Sequence, residues 1–373
     1  MKITELTLHA VEASPRGNWF FVQLHTDAGM SGIGEASQSG NDALVLSALS
    51  LMGERLVGCD PTQPEVLWER MVRSGGIFSG NAGRVGATAI SAIDQALWDI
   101  AGKALDVPVW RLLGGKRRDR VCLYANLNRG TRDRSPQGFA DAAARAVDAG
   151  FSAVKATPFD EVHWRGMDRP GVENDASKGV ERLEFTRQAI GDQVELLVDC
   201  HQRFDLPLAM KVAHKTLPLN LYWFEEPVPD EHVEALRHIT LHSGHTTAGG
   251  ESLFGREQFW DYIEKDAVHV LMPDVKHAGG ITECRRIAAL AETKQIPIAP
   301  HSPAGPVSTM AGVHVAATVS NFTLLEYAFG EVPWREDLIC PAERIEDGYI
   351  AVPDSPGLGI ELNEAVLEAH RIG

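Results

Sequence analysis

The chain has 373 residues, of which 44% are hydrophobic, and carries 51 acidic against 35 basic side chains for a formal net charge of −16. This length suits one large domain and a smaller one, and the negative charge argues against nucleic acid or an anionic membrane as a partner. The first residues lack a signal-peptide pattern and no apolar run is long enough to span a bilayer, so we expect a cytoplasmic protein without a membrane partner.

The cysteines fit the same compartment. They are odd in number, form no CxxC pair and mostly stand in apolar runs: Cys59, Cys122, Cys200, Cys284 and Cys340. This pattern predicts reduced thiols in the protein core rather than disulfides, as is usual in the cytoplasm.

Residues 1–118 are predicted to form an α+β domain. Residues 3–11, 19–26 and 31–36 have strand character, and a helical period runs from 87 to 104. Loops at 14–20 and 73–81 contain glycines that permit movement, so we expect them to close over a site. Trp19 and Phe78 are the predicted lid residues, with Trp19 contacting substrate.

From residue 119 to 340 the pattern alternates strand and helix. The predicted strands lie at 121–125, 153–157, 195–199, 222–225, 247–251, 268–273, 296–300 and 323–326. Eight strands at this spacing favour a closed (β/α) barrel of the TIM type. An open doubly wound sheet is the alternative, but it would need a glycine-rich phosphate loop after its first strand. Residues 341–373 are too few to fold alone and are expected to pack back on the N-terminal domain.

Three acidic residues stand at equal intervals at the ends of predicted strands. Asp199 and Glu225 each close an apolar run, and Glu251 closes a weaker one. Because parallel barrel strands end at the same mouth, the three carboxylates should converge there. Oxygen ligands suit a hard divalent cation, so the sequence predicts one Mg²⁺.

Two further strand ends carry a predicted acid–base pair. Asp274 and His301 follow consecutive strands, one βα unit apart, and should lie side by side. A carboxylate bonded to one imidazole nitrogen raises the basicity of the other. We therefore expect His301 to act as a general base that Asp274 orients.

Several polar residues complete the predicted site. His201 follows Asp199 by two residues and is expected to act as a general acid, although it could also bind the metal. Glu326 ends the eighth strand and could bind substrate oxygens, or pair with Lys155 or Arg203. Lys155 ends the second strand, where a cation would stabilise a bound carboxylate or pair with Asp199.

Weaker candidates for substrate contact flank these positions. Thr157 lies beyond Lys155 on the same face and cannot accept a proton. Arg203 follows the third strand. Trp164 lies in the longest unpatterned stretch, 159–179, and loops of that length in compact domains are often functional.

Together these motifs resemble the enolase superfamily, in its mandelate racemase subgroup, and within it the acid-sugar dehydratases such as galactonate and mannonate dehydratases. The similarity covers nearly the whole chain. It is carried by VDCH at 198–201, FEEP at 224–227, GE at 250–251, PD at 273–274, HAGGITE at 277–283, APH at 299–301 and PGLG at 356–359.

The resemblance implies a modified (β/α)7β barrel with an N-terminal capping domain that the C-terminal segment completes. It implies Mg²⁺ on Asp199, Glu225 and Glu251, the Asp274–His301 base, Glu326 as the group that stabilises an enediolate, and His201 as the acid that expels hydroxide. It also implies a homo-oligomer, either dimer or octamer, acting on a small sugar acid.

One residue departs from the racemase pattern. Racemases of this kind resemble Lys-x-Lys on the second strand, whereas here Thr157 stands in place of the second lysine. This removes the base on the opposite face and favours dehydration of a sugar acid to a 2-keto-3-deoxy acid. A racemase or epimerase, a cycloisomerase and a barrel without catalytic activity remain the alternatives.

Overall fold

The N-terminal part of the molecule is a three-stranded antiparallel sheet covered by helices. The computed structural model describes residues 1–15, 17–37, 40–73, 83–163 and 171–372. Strands β1 (Ile3–Ser14), β2 (Gly17–Thr26) and β3 (Ser31–Glu35) pair in that order. Strand β1 ends three residues after its predicted end, β2 begins two residues before its predicted start, and β3 ends one residue early. The α+β prediction is confirmed.

Three helices pack with this sheet: α1 (Asp42–Leu56), α2 (Pro64–Val72) and α3 (Gly83–Ala104). Helix α3 lies so close to β3 that a Cβ at Gly34 would come within 2.0 Å of the Ala92 carbonyl oxygen. Only glycine permits this approach. Seventeen consecutive residues of α3 are buried because the helix is covered by the sheet on one side and by the barrel on the other.

The rest of the chain forms a parallel barrel. Its strands are β4 (Arg120–Asn126), β5 (Ala153–Ala156), β6 (Glu195–Asp199), β7 (Trp223–Glu225), β8 (Thr247–Gly249), β9 (Val270–Leu271) and β10 (Leu325–Ala328). The helices between them are α5 (Pro136–Asp148), α6 (Val172–Ile190), α7 (Leu206–Thr216), α8 (Val233–His242), α9 (Gly255–Glu264), α10 (Gly280–Glu292) and α11 (Pro306–Thr318).

The barrel closes through one shortened strand. Ile298 bridges Leu271 on one side and Phe322 on the other, at the place of the predicted seventh strand. Strand β10 then pairs with β4. Within the described part of the chain, eight strand positions alternate with seven helices. This is a (β/α)7β barrel, which confirms the predicted fold class and excludes the open sheet.

Helix α3 joins the capping domain to the barrel. The buried Asp94 carboxylate accepts hydrogen bonds from the Thr282 hydroxyl at 2.6 Å and from its backbone N–H at 3.0 Å, at the start of α10. Burial raises the pKa of Asp94 to about 7. A Cβ at Gly280 would come within 2.2 Å of the same carboxylate, so the close contact requires glycine there. The capping domain is thereby fixed against the loop that follows β9.

The C-terminal segment contacts both parts of the molecule. Val11 bridges Arg371, and Pro108 bridges Gly357, which ties the segment to the N-terminal region. Its short elements are β12 (Ile345–Glu346), β13 (Tyr349–Ala351), β14 (Glu361–Leu362) and α12 (Glu364–Ala369). Strand β11 (Ile339–Cys340) comes directly before the segment and pairs with β14, and α4 (Val109–Leu112) precedes the barrel. Strand β13 also pairs antiparallel with β4, so the segment covers the start of the first barrel strand as well.

Two details differ from the predictions. The stretch predicted to be unpatterned up to residue 179 contains the first two turns of α6, which begins at Val172. All five cysteines are free, but only Cys200 and Cys284 are buried, and Cys340 is exposed. The prediction of core thiols is therefore wrong for Cys340, because its short edge strand β11 lies at the surface. Among the described residues, no helix combines the length and apolar character needed to cross a membrane.

Candidate active site

The three predicted metal ligands converge at the carboxyl ends of neighbouring strands. Asp199 and Glu225 end β6 and β7 and stand in register, and Glu251 follows β8 by two residues. One carboxylate oxygen from each lies within 4.8 Å of the other two. Asp199 and Glu225 are buried and Glu251 is half-buried. The structure thus brings together the trio that the sequence pattern singled out.

The chemistry of this group fits a hard divalent cation. Glu251 Oε2 is buried and accepts no hydrogen bond from the described residues. Burial, together with the charges of Asp199 and Glu251, raises the pKa of Glu225 well above its ordinary value. Three converging carboxylates repel one another in a medium of low dielectric, and a cation held by their oxygens would relieve that repulsion. All-oxygen ligands at this spacing suit Mg²⁺.

Lys155 supplies positive charge beneath the carboxylates. Its Nζ lies 2.8 Å from Glu225 Oε1 and 2.9 Å from Glu326 Oε1, but 3.9 Å from Asp199 Oδ2. The closest partners are therefore not the predicted Asp199. Burial alone would lower the pKa of the Lys155 ammonium, but the charges of Glu225 and Glu326 outweigh it and hold this pKa well above its ordinary value. Lys155 is fully buried and stays protonated.

Asp274 and His301 form the predicted pair. His301 Nδ1 lies 2.6 Å from Asp274 Oδ2. Burial alone would raise the pKa of Asp274, but Lys276, His277 and His301 outweigh it and hold this pKa below the ordinary value. An ionised Asp274 keeps the proton of a neutral imidazole on Nδ1. The other nitrogen, Nε2, then carries the free electron pair and lies 3.1 Å from Glu251 Oε2, beside the proposed metal ligands.

His201 reaches the site from a turn and not from a strand. Strand β6 ends at Asp199, and His201 has a φ of 49°, in the left-handed region that few non-glycine residues adopt. The predicted alternation along a strand therefore does not apply. His201 Nε2 lies 2.9 Å from Asp199 Oδ2. Burial lowers the pKa of His201, but the Asp199 charge outweighs it and the net shift is upward.

Glu226 supports the turn that carries Glu251. Its Oε1 accepts hydrogen bonds from the backbone N–H groups of Gly250 and Glu251 at 3.1 and 3.2 Å. Its Oε2 accepts one from Gln202 at 2.7 Å. Burial and the Glu251 charge raise the pKa of Glu226 to about 8. Glu226 thus positions the third acid rather than joining the trio.

Glu326 has protein partners on both oxygens. Oε1 accepts a hydrogen bond from Asn126 Nδ2 at 2.5 Å in addition to the contact with Lys155, and Oε2 accepts one from Ser302 N at 2.9 Å. Burial raises the pKa of Glu326, but Lys155 and His301 outweigh it and the net shift is downward. Of the two predicted roles, this environment favours the carboxylate that pairs with Lys155.

The weaker candidates for substrate contact differ in their surroundings. Arg203 lines a cavity, and its Nη1 donates to the carbonyls of Asp160 and Val162 at 3.0 and 2.8 Å. Thr157 is buried, and its hydroxyl makes no hydrogen bond with the described residues. Trp164, like Phe78, lies outside the described residues.

The prediction that Trp19 is a lid residue in contact with substrate is wrong. It belongs to strand β2, not to a loop, and only 1% of its surface is exposed. Its ring packs edge-on against Trp334 at 5.3 Å between centroids, and Arg335 lies 5.5 Å from the ring centre. A side chain enclosed in this way has no surface to offer a substrate.

The site opens into two adjoining cavities. One of about 310 Å³ is lined by Asp199, His201, Glu251 and His301, together with residues that sequence reasoning missed: Arg84, Asn126, Asn128, Arg129, Lys276 and His277. The other, of about 900 Å³, shares His201, Glu251 and Arg84 and extends to Arg203 and Asp230. The first volume is at the lower end of the range for small-ligand sites, roughly 300–1,000 Å³.

Comparison with known proteins matches both parts of the chain. Residues 5–114 match the family "Mandelate racemase / muconate lactonizing enzyme, N-terminal domain", and residues 138–366 match "Enolase C-terminal domain-like". A D-galactonate dehydratase of Ralstonia pickettii is 36% identical, over 98% of this chain and 94% of the relative. A D-xylonate dehydratase of Haloferax volcanii is 34% identical, over 95% of this chain and 85% of the relative.

Solved structures give the same picture. A putative dehydratase from Mesorhizobium loti superimposes with a TM-score of 0.91 at 30% identity and covers 100% of this chain and 99% of its own. A mandelate racemase/muconate lactonizing enzyme-like protein from Rubrobacter xylanophilus gives 0.91 at 35% identity, covering 100% of this chain and 98% of its own.

Proposed function

Because the chain belongs to the mandelate racemase/muconate lactonizing enzyme family of the enolase superfamily, we propose that it is a magnesium-dependent dehydratase of a sugar acid. The relatives named as D-galactonate and D-xylonate dehydratases support this substrate class and a hydro-lyase activity. The observation that carries the proposal is the free Nε2 of His301 beside the acidic trio, with Asp274 on the other nitrogen. On the family resemblance alone, we also propose a cytoplasmic homo-oligomer, either dimer or octamer.

The metal would be held by Asp199, Glu225 and Glu251. When bound, Mg²⁺ supplies positive charge that lowers the cost of forming an enediolate from a carboxylate. The protein adds a second fixed cation, because Lys155 stays protonated and lies under the same carboxylates. Such preorganised charge is worth more in a site that excludes water than in bulk solution.

Proton transfer falls to the two histidines. His301 Nε2 removes the α-proton, and Asp274 stabilises the imidazolium that forms. The β-hydroxyl is a poor leaving group until it is protonated, and His201 donates that proton as water departs. The enol then rearranges to the 2-keto-3-deoxy acid. Glu326 contributes by holding Lys155 and Asn126 in place.

The same geometry disfavours racemisation. A racemase needs a second base on the face opposite His301, and the corresponding residue here is Thr157, which is buried and has no titratable group. An elimination needs one base and one acid, the roles that we propose for His301 and His201.

The direct test is a screen of sugar acids covering all stereoisomers of the five- and six-carbon aldonates and aldarates. The purified protein is incubated with each acid in Mg²⁺, and 2-keto acids are detected by semicarbazide. We expect one or a few acids to be dehydrated, and excess chelator to abolish the reaction. Exchange of the α-proton or formation of an isomer without loss of water would instead support a racemase or cycloisomerase.

Replacing His201 with Asn should separate the two halves of the reaction. We expect dehydration to fall by about 10²–10⁴-fold, because the leaving hydroxyl loses its proton donor. Exchange of the α-proton with D₂O, followed by NMR, should continue because His301 is intact. Loss of both reactions would mean that His201 acts in binding or in holding Asp199 instead.

A further inference from the structure

A buried lysine, Lys276, lines the smaller cavity, on the side of the barrel opposite the strand that carries Lys155. Lys276 is 3% exposed and lines the 310 Å³ cavity just after β9, the sixth barrel strand. Lys155 is on β5, the second strand. Strands two and six face each other across an eight-stranded barrel. The site therefore has fixed ammonium groups on opposite sides, and the mechanism above uses only one of them.

Two partners hold the Lys276 ammonium. Its Nζ lies 3.0 Å from Asp274 Oδ2 and 3.2 Å from His277 Nε2. An ammonium group has three N–H donors. Among the described residues these two groups are its only side-chain partners, so at least one N–H is left for an acceptor in the cavity. A buried charged donor without an acceptor is costly, so a cavity water or a ligand oxygen must satisfy it.

The orientation of His277 is set by the capping domain. Thr88 of helix α3 donates its hydroxyl proton to the Arg84 carbonyl at 2.9 Å, and its oxygen lies 2.8 Å from His277 Nδ1. That oxygen can therefore only accept from His277, which puts the imidazole proton on Nδ1. The electron pair of Nε2 is then directed to Lys276. Burial and the neighbouring Lys276 charge hold the pKa of His277 well below its ordinary value, consistent with a neutral ring.

We propose that Lys276 is a substrate-binding residue whose free N–H donates to an oxygen of the bound sugar acid, and that Thr88 and His277 position it. The inference rests on the proposed function and extends it, because it places a cationic contact for the substrate opposite Lys155. It also makes an intact contact between α3 and the β9–α10 loop a requirement for tight binding, so the capping domain contributes to affinity through this contact.

The test compares Lys276→Met with wild type on the sugar acid that the screen identifies. We expect KM to rise by about 10- to 100-fold, the effect of losing a hydrogen bond from a charged group, with a smaller change in kcat. Calorimetry in the inactive His301→Asn background, where no turnover occurs, should show that Kd rises by the same factor. Thr88→Val leaves Lys276 in place and should raise KM by about 3- to 10-fold, since it only loosens His277.

Controls separate binding from folding. Lys265→Met removes an exposed lysine that lies 3.5 Å from Glu234, and it should leave KM unchanged. If Lys276→Met does not fold, Lys276→Gln takes its place; its shorter, uncharged side chain loses the charge-assisted hydrogen bond and should also raise KM. An active wild type with KM and Kd unchanged in these Lys276 variants overturns the inference alone. A wild type inactive on every sugar acid overturns the proposed function and this inference with it.

Discussion

Replacing His301 with Asn should lower kcat for dehydration by about 10³–10⁴-fold, near the upper end of what one positioned proton transfer contributes. Asn can still donate a hydrogen bond to Asp274, but it has no basic nitrogen for the α-proton. Because proton removal precedes the loss of water, exchange of the α-proton with D₂O should disappear together with 2-keto acid formation. Both are measured on one sample, by NMR and by semicarbazide.

Two measurements distinguish the loss of the base from the loss of the metal-binding site. Mg²⁺ affinity, measured by calorimetry, should change little in His301→Asn because Asp199, Glu225 and Glu251 are untouched. His242→Asn is the matched control, since His242 is exposed at the end of α8. It should keep full activity. Substantial dehydration by His301→Asn would remove His301 from the role of base and leave the mechanism without one.

The architecture was predictable because each βα unit repeats the same local pattern. A short apolar run followed by a helical period identifies a barrel strand and its helix without any long-range information. The pattern is less informative where burial is decided by distant contacts. The run at 296–300 is apolar enough for a strand, yet only Ile298 forms ladder bridges. Helix α6 begins seven residues before the predicted end of its loop. The sequence pattern missed its first turns because they are polar and partly exposed.

The arrangement of the acidic trio and of the Asp274–His301 pair was predictable for a related reason. Parallel strands place the residues at their carboxyl ends around one mouth, so spacing along the chain reports distance in space. Lys276 and His277 do not end a strand, and His277 is hydrogen-bonded to Thr88, nearly two hundred residues away in sequence. Arg84 comes from the capping domain. No sequence period links such residues, because docking of one domain on another sets their contacts.

Trp19 shows the same limit of prediction from local sequence, in a residue that was predicted to contact substrate and does not. An aromatic residue near glycines suggested a lid, although the predicted strand at 19–26 already included Trp19. Its burial depends on Trp334 and Arg335, which follow the last barrel strand, β10, in the sequence. Prediction from local pattern therefore worked for residues that the repeated βα units position. It failed for residues whose burial depends on contacts between segments far apart in the sequence.

Lys155→Met should have the largest effect on stability. The substitution keeps the length of the side chain but removes the charge that lies within 3 Å of Glu225 and Glu326. Breaking a buried ion pair by removing one partner typically costs about 3–5 kcal/mol, because the other charge stays buried. We expect a loss of this size in the free energy of unfolding, measured by urea denaturation in the presence of a chelator, and loss of activity.

The pH dependence of this loss has a definite sign. Without Lys155, burial and mutual repulsion should raise the folded-state pKa values of these carboxyl groups above their unfolded values. The protonated carboxyls then stabilise the fold at low pH, and this stability is lost as the pH rises through the raised values. The gap between variant and wild type should therefore be wider at pH 8 than at pH 5.

Magnesium should reduce the difference in unfolding free energy between Lys155→Met and the wild type. The variant keeps all three proposed ligands and has one positive charge fewer beside them, so it should bind Mg²⁺ more tightly than the wild type does. A ligand at 100 times its Kd stabilises a protein by roughly 2.7 kcal/mol, and tighter binding adds more to the variant than to the wild type. Lys265→Met, which loses only an exposed pair, should change stability by less than about 1 kcal/mol with or without the metal. A Lys155→Met protein whose deficit is the same in magnesium and in chelator would show that the ion, if it binds, does not share the carboxylates that Lys155 neutralises.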